Sequence, residues 1–352
     1  VEESNSSDQW RGASWSSFVH GARACGVWNH WRRLSVETPP FLHPEFFHFT
    51  RPIVESPGEP FLVAAVVSNQ VVGVLPVLVH GRELRLLRSD HSPRVDFRGD
   101  SIALNAVWQA LDTDRRWDSL VLDIPADSPL ASELPLLARS RGCLVKSSPW
   151  CRAPFFALPG FEAALDAKFR TNIRRCGRKA GDLRFERLTK PSSSDFEDAL
   201  TIEALAWKGQ ARSSINSDPR LRRFYRSLLR VFCPRGSMSL NFVTVGGRRV
   251  ASLFTMEDRR TLYALKIGYD PAYAAISPGH LMVAGTAADA ERRGLQIFDF
   301  IGRENEWKLK WTKLAREHVR VTVQRPSVRG LARTAGRKLV KSDSAKPLVE
   351  EI

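Results

Sequence analysis

Apolar and polar positions alternate in short blocks along this chain, and the period of alternation switches repeatedly between two and 3.6. In the first half, Phe61 to Val67 and Val71 to Val79 are β-rich runs divided by Ser68-Asn69-Gln70, which predicts a hairpin. Glu83 to Arg88 predicts a third strand, Ser101 to Leu111 a helix, Ser119 to Ile124 a strand and Ser128 to Arg141 a second helix. Cys143 to Ser147 and Ala153 to Leu158 read as two late strands. Before these, His43 to Glu55 predicts a helix with Pro44 near its start, and Trp10, Trp15, Phe18, Trp28 and Trp31 predict packed helical pieces.

The second half shows the same order more clearly. Met238 to Val245 and Arg249 to Glu257 are strand-like runs joined by Gly246-Gly247, a strong hairpin signal. Asp258-Arg259-Arg260 turns the chain into Leu262 to Gly268, a strand that ends at Gly-Tyr-Asp-Pro. Ser277 then fits an N-cap and Pro278 the first helical position, where a missing N–H costs nothing. The helix closes with Arg292 and Arg293 in its last turn and Gly294 as C-cap, and Gln296 to Ile301 follows as a strand. Meander, helix, strand in both halves is an internal repeat at fold level, with almost no sequence identity between the copies.

A chain of 352 residues is too long for one ordinary core. Pro149, Pro154 and Pro159 punctuate the middle. The expected domains are residues 1–152, residues 153–325 and a tail, residues 326–352. In the tail Val328, Leu331, Ala335 and Leu339 recur at helical spacing among Arg329, Arg333, Arg337, Lys338 and Lys341. Such a helix can dock on its own protein or lie on an anionic membrane surface. No apolar run approaches the ~20 residues of a membrane helix, and the polar N-terminus lacks the layout of a secretory signal. Five cysteines without a C-x-x-C pair fit a reducing cytoplasm. Eight histidines without ligand spacing point away from a metal site.

The formal charge is +15, and it is uneven. From Lys168 to Lys190 nine basic residues, among them Arg174, Arg175 and Arg178, face two acids. Phe161, Leu165, Phe169, Ile173 and Cys176 form an apolar stripe, so a solvated helix face is one reading. The sign bias supports the other, an anion-binding face for a cofactor's phosphates, a nucleotide-linked acceptor, tRNA or lipid headgroups.

A strand–loop–helix–strand unit whose helix is approached through Pro-Gly is a ready phosphate site, which makes a pyrophosphate-bearing cofactor the first hypothesis. A dinucleotide-binding unit would begin with a buried parallel strand and G-x-G-x-x-G, and neither is present. The order meander, phosphate-binding helix, parallel strand is the core order of the GNAT acyl-CoA N-acyltransferases. FRTNIRRCGRKAG (169–181), EALAWK (203–208), LKIGYDPAYAAISPG (265–279) and FDFIG (298–302) with Trp307-Lys308 and Trp311 resemble, in order, the CelD/BioF-like acetyltransferase branch of that superfamily. That branch is related to the FemABX aminoacyltransferases, and these motifs span roughly half the chain. The resemblance implies two tandem GNAT-like domains of mixed α/β class, the N-terminal copy degenerate. It also implies acyl-CoA or acetyl-CoA as donor, and a cell-envelope or polysaccharide precursor as acceptor. One departure is clear: Ser277-Pro278-Gly279 stands where typical members carry an R/Q-x-x-G-x-G/A pyrophosphate loop.

Acylation of an amine by a thioester requires a base for the amine and stabilisation of the oxyanion, and the leaving thiolate can take up a proton. Glu203, one helical turn before Trp207-Lys208, and Asp299, flanked on its strand face by Ile297 and Ile301, are the candidate bases. Asp299 also reads as a buried carboxylate satisfied by backbone, Lys266 or Lys308. Tyr269 and Tyr273 are candidate donors to the leaving sulfur, and Asp270 between them fits an Asx-type turn. The donor-binding candidates are Lys266, Ser277, Pro278, Gly279 and His280, with Arg174 and Arg175; the acceptor-binding candidates are Trp207, Lys208, Asp270 and Lys308. Three functions remain open: an acyl-CoA N-acyltransferase, a transferase drawing on aminoacyl-tRNA, and a non-catalytic anion-binding module. The place expected for any of them is the cytoplasm, or the inner face of the membrane.

Overall fold

The computed structural model describes residues 10–17, 27–35, 38–54, 58–67, 70–91, 95–205 and 214–326. The chain divides into two compact units, Val1–Arg152 with Arg316–Ile352, and Ala153–Ala315.

The first unit begins with β1 (Trp10–Ser17), antiparallel to β2 (Glu59–Val67). A strand stands here instead of the expected helical piece: Gly12 and three serines are poor helix formers, and the edge of β2 supplies backbone partners. α1 (Val27–Leu34) and α2 (Pro44–Thr50) follow, and α2 gives way to a 3₁₀ turn at Arg51–Ile53. The predicted helix to Glu55 stops early because Pro52 has no N–H to donate. β2, β3 (Gln70–His80) and β4 (Glu83–Leu86) form the expected meander. α3 (Ser101–Thr113) then crosses to β5 (Ser119–Pro125), which pairs parallel with β4. The single helix expected over 128–141 is two, α4 (Pro129–Ser132) and α5 (Leu134–Ser140), since Pro135 cannot continue the hydrogen-bond ladder. β6 (Leu144–Ala157) is one strand where two were expected. Trp108, Trp117, Leu120, Leu122 and Ile124 fill the core beneath α3 and α5.

The second unit takes the last residues of β6 and continues with α6 (Phe161–Ala164), α7 (Ala167–Ala180), β7 (Leu183–Leu188), α8 (Ser193–Leu205) and α9 (Pro219–Phe232). The meander is β8 (Met238–Val245), β9 (Arg248–Glu257) and β10 (Thr261–Tyr269), with Gly246-Gly247 at its first turn. α10 (Pro278–Arg292) crosses to β11 (Ile297–Asp299), which pairs parallel with β10. A short α11 (Glu306–Leu309) ends the unit. The strand order here is β6-β11-β10-β9-β8-β7. Neighbouring residues of β9 show how the helices are divided. Leu253 packs with Met282 of α10, while Phe254 meets Phe196 of α8 and Tyr225 of α9. α10 therefore covers one face, and α8 with α9 the other.

β12 (Ala315–Gln324) returns to the first unit and pairs antiparallel with β5, completing the order β1-β2-β3-β4-β5-β12. The domain expected to run to residue 325 thus yields its last strand to the other unit. Each unit is a mixed α/β layer with an antiparallel meander and one helical crossover to a parallel strand, the second complete and the first a reduced copy.

Candidate active site

The second unit's parallel pair is short. β10 and β11 are paired at Thr261↔Ile297, Leu262↔Phe298 and Tyr263↔Asp299, and there β11 ends. β10 runs on to Tyr269, with a bulge between Ala264 and Lys266 where one extra residue re-aims the strand. Two residues past the end of β11, Ile301 takes a left-handed backbone (φ 49°), unusual for a β-branched residue. Beyond this pair no ladder joins β10 and β11, and this end of the strand pair is the fork.

The segment after β10 leads to the helix on this fork. Asp270 starts a 3₁₀ turn over Pro271–Ile276 by accepting from the Ala272 N–H at 3.0 Å, and its other oxygen takes Arg248 at 3.1 Å. Ser277 precedes α10 in the left-handed region (φ 50°) and makes no side-chain cap. Its carbonyl accepts from the N–H groups of His280 and Leu281. The sequence placed the N-cap correctly, but the backbone turn does the work expected of the hydroxyl. Gly279 has open surroundings: a Cβ there would touch only the Tyr269 ring, at 3.5 Å. At the far end Gly294 N–H reaches Glu291 O and Leu295 N–H reaches Ala290 O, the paired bonds of a glycine-terminated helix.

On the opposite face Glu203 comes down on β10. Gly268 permits this, since a Cβ there would lie 2.5 Å from the Glu203 Cα. Glu203 is 1 % exposed. Its Oε2 accepts from the Ile215 N–H at 2.9 Å, while Oε1 has no hydrogen-bond partner and lies 3.8 Å from Lys266 Nζ. A buried carboxylate oxygen left in this state is costly, which makes Glu203 a candidate for chemistry or for holding a bound polar group.

Asp299 and Lys308 converge on one residue. Asp299 Oδ1 accepts from the Ile301 N–H at 2.9 Å, and Lys308 Nζ donates to Ile301 O at 3.0 Å and to Arg303 O at 2.9 Å. Both side chains are buried, and together they hold the left-handed turn that ends β11. His280, in the first turn of α10, sits among Phe169, Trp307 and Trp311. Trp311 Nε1–H donates to its Nδ1 at 3.1 Å, which puts the proton of the neutral ring on Nε2. Burial, and then the charge of Lys310, lowers its pKa to about 4.

The remaining candidates are dispersed. Tyr269 closes β10 and Tyr273 packs beside Ile276 and Leu281, with the Arg248 guanidinium 5.9 Å from its ring centroid. Pro278 is buried at the head of α10. Arg174 and Arg175 lie on the exposed side of α7, where Arg174 pairs with Glu162 at 3.0 Å and Arg175 donates to Asn172. Trp207 and Lys208 lie outside the described residues. Sequence reasoning missed Gly268, Arg248 and the Trp311–His280 bond. A glycine inside a strand was the available signal for the first; nothing in the sequence announced the other two.

Among the described residues no group of His, Cys, Asp and Glu could hold a metal ion, and no helix is long and apolar enough to cross a membrane. A cavity of about 330 Å³ in the first unit is lined by Arg115, Arg141, Cys143 and Arg325. It opens at the C-terminal ends of α3 and α5, where helix dipoles disfavour an anion. Arg325 is committed there to the carbonyls of Leu111, Asp112 and Asp114, and burial raises the Cys143 thiol pKa.

The family model described as "Acetyltransferase (GNAT) domain" matches residues 167–309, the span from α7 to α11 that builds the fork. These residues form a GNAT acetyltransferase domain. A search of curated proteins finds no match to this chain. Among solved structures, the C-terminal domain of a proposed lysylphosphatidylglycerol synthetase from Agrobacterium fabrum superposes with a TM-score of 0.58 at 12% identity, covering 89% of this chain and 96% of that one. A conserved protein of unknown function from Bacteroides thetaiotaomicron gives 0.59 at 13%, covering 88% and 99%. FemX gives 0.57 at 8%, covering 91% and 98%. At such identities these likenesses concern the fold. The GNAT domain of this chain is accordingly a transferase domain on a fold that FemX shares.

Proposed function

We propose that this protein is an N-acyltransferase that moves an acyl group from acyl-CoA to an amino group of a small-molecule, cell-envelope or polysaccharide precursor. The observation that carries this reading is the fork. Beyond Tyr263 and Asp299 no ladder joins the two strands, which suits an extended thioester arm beside β10, and α10 starts at the end of the loop that follows β10. Its first turn, with Gly279 bare of side chain, suits the approach of a pyrophosphate. CoA enters as a substrate.

The chemistry follows from that placement. The acceptor nitrogen attacks the thioester carbonyl, the C–N bond forms, the C–S bond breaks, and the sulfur leaves as thiolate. One amine proton must go to a base, and Glu203 is the group assigned that role, because its buried Oε1 is left unbonded beside β10. Lys266 Nζ, 3.8 Å from that oxygen, is the cation nearest to it among the ion pairs of the described residues. Asp299 and Lys308 act by fixing the end of β11 rather than by touching the reacting atoms. Tyr269, beside Gly279, and Tyr273 are the groups placed to protonate the thiolate.

The fold shared with FemX supports a second reading, with aminoacyl-tRNA as donor, and the net charge of +15 suits it. Thermal unfolding with CoA, acetyl-CoA and a long-chain acyl-CoA separates the two. A ligand at 100 times its Kd adds about 2.7 kcal/mol of stability, so a clear rise in Tm is expected with the acyl-CoAs. No shift with any of them, together with salt-sensitive binding of tRNA, would favour the aminoacyl reading. The protein is placed in the cytoplasm, or at the inner face of the membrane.

A further inference from the structure

α9 has the sequence PRLRRFYRSLLRVF and contains five arginines and no acid. At 3.6 residues per turn, Arg222, Arg223, Arg226 and Arg230 fall within an arc of about 100°. The opposite side, Phe224, Tyr225, Leu228, Leu229 and Phe232, is buried in the core. Arg222 and Arg226 share a single carboxylate, Glu197, and their guanidinium groups lie 5.8 and 5.2 Å from the Phe196 ring centroid. Among the described residues neither Arg223 nor Arg230 has an ion-pair or hydrogen-bond partner. α9 lies on the face of the sheet opposite α10, so phosphates bound at the start of α10 do not account for this row.

We propose that the arginine face of α9 docks the protein on an anionic lipid bilayer. The row is rigid, because the apolar half of the helix is anchored in the core and two of its arginines are held by α8. It presents guanidinium groups to phosphates without an apolar residue to insert, so contact is with headgroups alone. Every aromatic residue of α9 is buried, so it offers no stacking platform of the kind that single-stranded RNA uses. The site is independent of the donor and of the transfer reaction.

The test is flotation of the full chain with vesicles of phosphatidylcholine alone and of phosphatidylcholine with 30% phosphatidylglycerol (roughly the charge of an anionic leaflet). Binding is expected only to the anionic vesicles, and it should be lost as salt is raised. The variant R223Q/R226Q/R230Q should bind about a hundredfold more weakly, the combined worth of three surface arginines near such a leaflet, while melting as the parent does. The variant R174Q/R175Q/R178Q on α7 removes the same charge elsewhere. Equal weakening in both would show that net charge alone is at work and would overturn the proposal. So would unchanged vesicle binding by the α9 variant, or loss in that variant of duplex RNA binding in a protein that ignores the vesicles.

Discussion

The two crossovers of this molecule are built on one plan and finished differently. In the first unit β4 leads to α3 and on to a parallel β5; in the second, β10 leads to α10 and on to a parallel β11. At the start of α3 the Asp100 carboxylate accepts from the Ala103 N–H at 2.8 Å. That cap satisfies the helix and fills its positive end with a negative charge, where a phosphate would have to go. At the start of α10 the preceding residue is Ser277 in a left-handed turn, with no side-chain cap, then Pro278 and Gly279. The same topology therefore yields a self-contained helix in one copy and an unfilled helix terminus in the other. Two carboxylates, one on strand β5 and one on helix α8, differ as well. Asp123 of the first unit is paired to Arg320 at 2.6 Å on a partly exposed surface, whereas Glu203 of the second is buried with one oxygen unbonded.

The sharpest way to break the comparison is Gly279→Val. The fold does not need glycine here, since a Cβ would make only ordinary contact with Tyr269. The variant is expected to melt cooperatively at nearly the parent Tm and to lose acyl-CoA binding by at least about a hundredfold, a loss near 2.8 kcal/mol. Calorimetric titration that finds parent-like affinity would mean that the start of α10 is merely an unfilled helix end, no different in function from α3.

Glu203→Gln comes next. It preserves shape and the bond from Ile215 N–H while removing the charge. Turnover should fall by roughly 10²–10⁴ with donor affinity little changed, as befits loss of a general base. Removing the charge beside Lys266 should cost the variant some stability too, so the thermal melt has to be read alongside. Full activity in a folded variant would return Glu203 to the status of a structural carboxylate like Asp123.

Much of this contrast could be read in the sequence, and the rest could not for identifiable reasons. The Gly246-Gly247 hairpin, the strand before the loop and the Gly294 end of α10 are local signals, and each is where it was expected. Ser277 showed the right boundary through the wrong contact, because a left-handed serine cannot be told from a capping one by residue type. Pro52 and Pro135 carried their helix-breaking message plainly, yet apolar spacing masked it. The convergence of Asp299 and Lys308 on Ile301 depends on a turn that only tertiary packing imposes. Glu203 and Lys266 are 63 positions apart, and no periodicity joins them; Gly268 does, by letting α8 touch β10.

His280 gives a smaller effect, with a definite sign. Its pKa in the folded chain is about 4, below the ~6.5 of an exposed histidine, so the unfolded chain binds more protons in that window. Its contribution is complete above pH ~6.5 and drains away as pH falls toward 4. The loss attributable to it should be on the order of 2 kcal/mol once partial solvent screening is allowed for. His280→Gln keeps an acceptor for Trp311 and removes the titration. The difference in denaturant stability between parent and variant should therefore change with pH between 7 and 4. A constant difference would show that the aromatic surround does not hold the ring neutral.

The smallest effect expected is also the cleanest check on the first unit. Asp100→Ala removes the cap of α3 and should cost about 1 kcal/mol. With the donor site assigned to the second unit as proposed, the acyl-CoA affinity of this variant should match the parent. Stability loss with unchanged affinity would confirm that the carboxylate serves its own helix. Asp100→Gly restores conformational freedom at the cap and, relative to alanine, should recover most of the loss, since glycine is only a few tenths of a kcal/mol worse than a capping side chain. If instead either variant binds a second equivalent of CoA in titration calorimetry, the two crossovers differ by a single side chain. The first copy would then be a donor site closed by Asp100, and the reduced character assigned to it here would be wrong.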